Sequence, residues 1–342
     1  LLAEGFPVNP HLTTEDPIVL HKRFAELLAK DYTHIVMEVS SHALHQYRVA
    51  DVDFDYAVFT NLTPEHLDYH KTMEDYYHAK AKLFKGLSIT ATAIVNLDSP
   101  YGKNIRNDCS SPVLTTSLSS VEDVHFREFT QDIDGTRGTV SVGEQEYIIN
   151  SNLTGQYNLE NLLNSVALSH AMGLSRQSIE NGIVKCRTIP GRMEIFHLLG
   201  GGKAVIDYAH TPDAFVKVLS TIKDIINGEK ITVIFGAGGE RDTSKRPEIA
   251  SITEKFANRV FITPDNPRSE DVESINADII SGFTKQIYKT FDSRATAIRQ
   301  AIETMASNEI IVILGKGRED FQEIKGVKYF HSDVAIIKEF VA

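Results

Sequence analysis

Hydrophobic residues in the second half of the chain fall into blocks of two lengths. Short, β-branched runs of strand length alternate with longer segments in which apolar residues recur at helical spacing. The predicted strands are 203–207, 231–235, 260–263 and 310–314, and the predicted helices are 213–226, 247–257, 272–282, 293–305 and 333–341. This alternation predicts an α/β domain with a mainly parallel sheet covered by helices.

The first half begins in the same way and then changes character. The predicted helices are 18–30, 73–85, 156–172 and 176–185, and the predicted strands are 35–39, 56–60 and 91–97. Between 112 and 149, short apolar runs punctuated by Ser, Asp and Gly predict a small, partly antiparallel appendage. Pro190-Gly191-Arg192 has the composition of a hinge, so we predict two domains, 1–187 and 188–342.

Composition narrows the class of protein. The 342 residues are 42% hydrophobic and 24% charged, as in ordinary globular proteins, and the net charge of −11 argues against a nucleic-acid-binding surface. Two cysteines, Cys109 and Cys186, predict reduced thiols in a cytoplasmic protein rather than a disulfide framework. No apolar run approaches the roughly 18 residues of a membrane span, and no secretory signal is visible, so we expect no membrane insertion.

Chemistry-bearing side chains follow two predicted strands of the first half. Glu38 and Ser40 end the first of these, and His66 comes shortly after the second. In an open α/β sheet, polar residues just past the strand ends line the ligand crevice. A carboxylate and a neutral imidazole can hold a divalent metal, and the lysine cluster that follows, which includes Lys80, can meet phosphate.

Polar, glycine-containing loops follow four predicted strands of the second half. Because the carboxyl ends of parallel strands share one edge of a sheet, we expect these loops to form a single rim. Arg241, Arg268 and Glu319 on that rim suit a zwitterionic amino acid, with arginine for its carboxylate and glutamate for its ammonium. The loops are 207–212, 236–242, 265–268 and 315–319.

Several motifs resemble the Mur ligase family. They are Met37-Glu38-Val39-Ser40-Ser41-His42, Thr60-Asn61-Leu62, His66-Leu67-Asp68-Tyr69-His70 and Ala79-Lys80. The resemblance covers about residues 10 to 342. It implies the remainder of a central P-loop-type ATPase domain with a small β appendage, followed by a C-terminal Rossmann-like α/β domain that binds the incoming amino acid.

The resemblance implies ATP-dependent amide-bond formation in peptidoglycan precursor synthesis. A substrate carboxylate is activated as an acyl phosphate, and an amine then displaces phosphate, with ATP and Mg²⁺ as cofactors. Asp265-Asn266-Pro267-Arg268 resembles the members that add meso-diaminopimelate to the D-Glu of UDP-N-acetylmuramoyl-L-Ala-D-Glu, because Arg268 would meet the second carboxylate, which lysine lacks. We expect a cytoplasmic monomer.

The family's site residues carry over by position. Glu38, His66 and Lys80 match the catalytic, metal-holding residues, with Lys80 carrying CO₂ as a carbamate. The residues matching the muramoyl dipeptide site are Thr13, Thr14, Ser40, Gln46 and Arg48. Those matching the nucleotide site are Asn158, Asn161, Arg192 and His210. Those matching the amino-acid site are Arg241, Asp265, Asn266, Pro267, Arg268, Gly315 and Glu319.

The chain departs from the family in four respects. It contains no G-x-x-x-x-G-K-[ST] phosphate loop and no counterpart of the N-terminal uridine-binding domain, so we expect this chain alone to be inactive in ligation. The usual Asn-Thr-Thr-Pro is Leu12-Thr13-Thr14-Glu15, and the usual Gly-Lys-Gly-His-Glu has Arg318 at its fourth position.

Other interpretations stay open at this point. The chain could belong to a ligase that adds L-lysine or another amine, or it could be a non-catalytic homologue that binds muramoyl nucleotides. His66 and His70 are four residues apart and could form a zinc pair of a hydrolase. Lys80 alone would be a solvated helix lysine, and Arg268 could pair with Glu270.

Overall fold

A computed structural model describes residues 12–341, so the first eleven residues of the predicted domain 1–187 and residue 342 lie outside it. Contacts divide the chain into two compact units. The first comprises Leu1–Arg127, Thr139–Tyr147 and Glu160–Ile179, and the second comprises Glu128–Gly138, Ile148–Leu159 and Glu180–Ala342. No helix in the described part of the chain is long and apolar enough to cross a membrane.

The first half of the chain supplies thirteen of the described elements, through α7. Its helices are α1 Pro17–Leu28, α2 Ser41–His45, α3 Leu67–His70, α4 Met73–Lys85, α5 Gly102–Asp108, α6 Gln156–Ala171 and α7 Arg176–Lys185. Its strands are β1 Tyr56–Phe59, β2 Thr92–Asn96, β3 Val113–Thr116, β4 Val124–Asp132, β5 Gly135–Val142 and β6 Gln145–Ser151. The predicted helices are confirmed, and α1 begins as its sequence indicates, with Asp16 as N-cap and Pro17 in the first turn.

Strands β1 to β6 form one sheet in sequence order, in which β1, β2, β3 and the start of β4 are parallel. The short runs predicted as an appendage therefore continue the main sheet. A core under β1 and β2 contains Phe59, Val95 and Phe84. Helix α4 supplies Phe84, and Lys80 lies one turn earlier on the same helix.

The prediction of a strand at 35–39 is wrong. The segment has no strand assignment, and Ile35 and Val36 are 40% and 80% exposed. Its end is held instead by the buried Thr14, whose Oγ1 donates to Glu38 O at 3.0 Å and accepts from Ser40 N at 3.0 Å. A β-branched run becomes a strand only where another strand supplies ladder partners, and none of the described strands pairs with it.

The rest of the chain builds a second sheet, in the order β11-β10-β9-β12-β8-β7. All of its neighbouring pairs are parallel except β7 with β8. Its strands are β7 Glu194–His197, β8 Lys203–Asp207, β9 Lys230–Phe235, β10 Arg259–Ile262, β11 Tyr288–Thr290 and β12 Glu309–Leu314, and β13 Phe321–Ile324 pairs with β14 Val327–Phe330 in a hairpin. The helices are α8 Pro212–Ile225, α9 Lys245–Phe256, α10 Val272–Ile280, α11 Arg294–Glu303 and α12 Asp333–Lys338.

This second sheet confirms the predicted alternation and rim. Helices α8, α9 and α10 pack against one face of it, and α11 and α12 pack against the other. Because β8, β9, β10 and β12 run in the same direction, the four predicted loops leave one edge of the sheet. Antiparallel β7 and the hairpin were not predicted.

Candidate functional site

The predicted muramoyl-site residues form a connected group in the first unit. Thr14 is buried and bonds to the backbone on both sides of Val39. Arg48 Nη1 donates to Thr14 O at 2.7 Å, and Arg48 Nε donates to Gln46 Oε1 at 2.9 Å. Thr13 is exposed beside this group. The structure therefore brings together Thr14, Ser40, Gln46 and Arg48, from two segments about 30 residues apart.

Lys80 is half-buried on α4, and its Nζ lies 5.8 Å from the centre of the Tyr76 ring. Burial lowers the pKa of Lys80 below its usual range, against the opposing influence of Glu38 and Glu65. The structure thus favours the neutral amine at this position more than at a solvated lysine. The same opposing influence indicates that Glu38 lies near Lys80.

His66 stands at the start of α3 in a left-handed conformation, with φ +57°. Its ring is 4.9 Å from that of His42, which in turn is 5.5 Å from that of His70. Burial is the main cause that lowers the pKa of His42, and the nearby His66 is the second. Burial is also the main cause that lowers the pKa of His70, and His42 is the second. Neutral imidazoles are therefore favoured at His42 and His70. We did not predict this histidine cluster as a unit.

His70 has a structural environment of its own. It is 5% exposed, its Nε2 lies 2.9 Å from Ser41 Oγ, and its ring stacks on Tyr76 at 5.0 Å. Within residues 12–341, no three His, Cys, Asp or Glu side chains are grouped so that they could hold a metal ion. The structure therefore gives no support to a zinc pair of His66 and His70.

The predicted nucleotide residues differ in their surroundings. Asn158, on α6, is 1% exposed, and its Nδ2 donates to Thr154 O at 2.8 Å. The buried Oδ1 of Asn158 and hydroxyl of Tyr157 have no hydrogen-bond partner within the described chain. Buried polar atoms without partners are rare, and two adjacent ones are consistent with a ligand that supplies the missing bonds. Asn161, one turn further along, is exposed.

Arg192 and His210 both lie near the buried Asp207. Burial raises the pKa of Asp207, although the backbone N–H groups of Met193 and Ala209, each 2.8 Å from a carboxylate oxygen, oppose the change. Arg192 and His210 also oppose it. The two predicted nucleotide residues are therefore an exposed arginine and an exposed histidine near a fixed buried carboxyl group.

The predicted amino-acid residues converge on a lysine that we did not assign. Lys316 is fully buried, and its Nζ lies 3.1 Å from Asn266 Oδ1, 3.0 Å from Glu319 Oε2 and 3.8 Å from Asp265 Oδ1. Asn266 Nδ2 donates to the same Glu319 oxygen at 3.1 Å. The ammonium thus orients two loops, and Gly315, with φ +108°, lets Asp265 approach closely.

Two arginines border this cluster at Gly238. A Cβ at Gly238 would lie 3.2 Å from Arg268 Nη1 and 3.6 Å from Arg241 Cγ. Arg268 does not pair with Glu270: its Nη1 donates to Gly239 O at 2.7 Å, and its Nε lies 3.4 Å from Glu323 Oε2. A carboxylate ligand could replace the weaker of these two contacts.

A buried ion pair behind the rim was also missed. Arg294 and Asp333 are 2% and 1% exposed, with Arg294 Nη2 2.8 Å from Asp333 Oδ2. Arg294 also donates to Leu314 O at 2.9 Å and to Thr263 Oγ1 at 3.2 Å, at the ends of two strands that carry site loops. Arginine at the start of a helix gave no local signal of this long-range role.

Comparison with known proteins agrees with the fold. The family described as Mur ligase middle domain matches residues 3–169, and the Mur ligase, glutamate ligase domain matches residues 191–317. The chain belongs to the Mur ligase family.

Similar curated proteins are named UDP-N-acetylmuramoyl-L-alanyl-D-glutamate–2,6-diaminopimelate ligase. The one from Aquifex aeolicus is 39% identical over 330 residues, which are 96% of this chain and 67% of the relative. The one from Pseudomonas putida is 41% identical over 345 residues, covering 97% of this chain and 68% of the relative. A solved structure with the same protein name has a TM-score of 0.71 at 32% identity. The match covers 97% of this chain and 70% of the chain in that structure.

Proposed function

We propose that this chain forms the middle and C-terminal domains of an ATP-dependent ligase that joins meso-diaminopimelate to the D-Glu of UDP-N-acetylmuramoyl-L-Ala-D-Glu. In such a reaction the D-Glu carboxylate attacks the γ-phosphorus of ATP, which gives an acyl phosphate and ADP. The amine of diaminopimelate then displaces phosphate and forms the amide. The two similar curated proteins carry the name of this activity.

The observation that carries the proposal is the rim cluster around Lys316. Glu319 and Asp265 leave this cluster with more carboxylates than the single ammonium neutralises, which suits the ammonium of an amino acid. Arg268 and Arg241, which lie next to Gly238, suit carboxylates. Diaminopimelate and lysine both have two ammonium groups, but diaminopimelate has two carboxylates and lysine has one, so a site with two arginines matches diaminopimelate better.

Lys80 supports the activation half of the proposal. A neutral lysine amine adds to CO₂ and loses a proton, which gives a carbamate with two oxygen ligands; the lowered pKa of Lys80 favours that neutral amine. Glu38, His66 and a carbamate on Lys80 would hold Mg²⁺, which stabilises the charge that develops on the transferring phosphoryl group. Without the carbamate these side chains would offer Mg²⁺ one carboxylate and one imidazole, and phosphate and water oxygens would have to supply its other ligands.

The remaining residues bind and orient. Arg48 and Gln46 present donors next to Thr14, where a muramoyl dipeptide carrying negative charge would lie. Asn158 Oδ1 and the Tyr157 hydroxyl offer hydrogen bonds that suit a nucleotide base, and Arg192 supplies a cation for its phosphates. Glu319 accepts bonds from Lys316 and Asn266 on Oε2, and its Oε1, which has only a long contact of 3.3 Å with the Tyr208 hydroxyl, would meet the incoming ammonium.

Calorimetry with meso-diaminopimelate and with L-lysine tests the amino-acid specificity. We expect tighter binding of diaminopimelate to the 342-residue chain, and we expect Arg268→Gln to weaken it while leaving lysine binding nearly unchanged. Arg299→Gln, which alters an exposed ion pair, is the matched control. Tighter binding of lysine by the unmodified chain would refute the proposed substrate.

Labelling with ¹³CO₂ tests Lys80. We expect a carbamate carbon signal in the ¹³C NMR spectrum of the unmodified chain and in Lys82→Arg, and its loss in Lys80→Arg. Lys82 is a matched control because it lies on the same helix and is also half-buried, with its Nζ 4.3 Å from the Tyr47 ring centre. A signal that persists in Lys80→Arg would exclude Lys80 as the carbamylated residue.

A further inference from the structure

Arg318, the residue at which the chain departs from the usual family motif, has a specific partner. Its Nε donates to Glu194 Oε2 at 2.8 Å, and its Nη2 contacts Glu194 Oε1. Glu194 is only 4% exposed, at the first position of β7, and its Oε2 also accepts from Gly191 N at 3.1 Å. The guanidinium therefore points toward the hinge predicted at 190–192.

A second set of contacts joins the same two loops. Tyr208 N donates to Gly191 O at 3.0 Å, and the Tyr208 hydroxyl lies 3.3 Å from Glu319 Oε1. A Cβ at Gly317 would lie 3.1 Å from Tyr208 Cβ, so loop 315–319 packs closely on this tyrosine. Arg192 Cζ is 6.0 Å from the centre of the same ring. The loop that carries Glu319 and the loop that carries Arg192 are thus joined in two ways, by the pair of Arg318 with Glu194 and by contacts through Tyr208.

We propose that Arg318 is a positioning residue: its bidentate pair with Glu194 fixes the loop that holds Glu319 to the loop that holds Arg192. The pair couples the predicted amino-acid site to the predicted nucleotide site within one compact unit. Only the identity of the two ligands rests on the proposed function.

Arg318 suits this positioning role because its contact with Glu194 has a fixed direction and its charge is permanent. Two parallel N–H···O bonds fix the orientation of both groups, which a single point charge does not. Arginine remains charged at every pH at which the protein folds, whereas the family's usual histidine at this position would be charged only below about pH 6.5. Loss of Arg318 would leave the buried Glu194 carboxylate with the Gly191 N–H and no cation, so the loops would rearrange.

Amide hydrogen exchange on the 342-residue chain tests the coupling without any ligand. We expect exchange of the 315–319 amides to rise about tenfold or more in Arg318→Gln and in Glu194→Gln, because both variants break the pair. Glu194→Gln leaves no buried charge behind, so a shared effect separates loop positioning from general destabilisation. Arg318→His should show protection at pH 5.5 that disappears by pH 8. Arg299→Gln, as control, should leave these amides unchanged.

Calorimetry with meso-diaminopimelate adds the ligand readout, with an expected tenfold rise in Kd for Arg318→Gln. Unchanged exchange of 315–319 in both pair-breaking variants would overturn the inference, as would unchanged affinity in a variant whose loop exchange has risen. A failure of the unmodified chain to bind diaminopimelate would count against the proposed function alone, since hydrogen exchange still decides the role of Arg318.

Discussion

Removal of the Arg294 guanidinium should be among the most damaging single changes in the second unit. Arg294→Met keeps an unbranched apolar side chain in place of the arginine stem and deletes the donors to Asp333, Leu314 O and Thr263 Oγ1. The Asp333 carboxylate, 1% exposed, would retain His331 Nε2 at 2.8 Å but lose its permanent cation. Burial alone would raise the pKa of Asp333, and Arg294 together with His331 instead holds it well below its usual range.

The size of the effect follows from burial. Breaking a buried ion pair by removing one partner costs about 3–5 kcal/mol, a large part of the roughly 5–15 kcal/mol that stabilises a typical domain. With a urea dependence of about 1–3 kcal/mol per molar, the unfolding midpoint should fall by about 1 M or more. Urea unfolding followed by far-UV circular dichroism measures the midpoint.

The same helix supplies the control. Arg299 makes an equally short contact with Glu339, at 2.7 Å, but the two side chains are 42% and 49% exposed. Arg299→Met should therefore lose only a small fraction of what Arg294→Met loses, because water already solvates both charges. The double variant Arg294→Met/Asp333→Leu should regain much of the loss, because no buried charge remains. Equal midpoints for the two single arginine variants would refute this reasoning.

Two further predictions concern the rim. Arg246 donates two hydrogen bonds that lower the pKa of Glu270 to about 2. This contribution to stability should be complete above about pH 4.5 and disappear as the pH falls toward 2. The difference in thermal midpoint between the unmodified chain and Glu270→Gln should therefore shrink between pH 6 and pH 3, and a constant difference would contradict this prediction. A Cβ at Gly239 would lie 1.9 Å from Pro267 O, so Gly239→Ala should weaken diaminopimelate binding at least about tenfold by calorimetry. Gly182→Ala is the control, because a Cβ at Gly182 would meet open space and should leave the affinity unchanged. Equal affinities of the two variants would contradict the role of the close contact between Gly239 and Pro267.

The sequence determined the order and type of most elements. Strands and helices differ in the period of their apolar residues, and that period is a local property that can be recognised without any knowledge of tertiary contacts. Helix α4, for example, was predicted with its observed bounds, Met73–Lys85. The rim of the second sheet also followed from the sequence, because parallel strands joined by helices must place their carboxyl ends on one edge.

Only the tertiary structure decided which polar residues are partners. The segment 35–39 has a strand-like composition, but pairing with another strand is not encoded in a single run of residues, and its end bonds to Thr14 instead. Lys316 and Arg294 look like ordinary surface cations in the sequence, although both are buried against carboxylates. Their partners include residues 39 and 50 positions away, and the charge balance that makes burial tolerable arises only when the chain has folded.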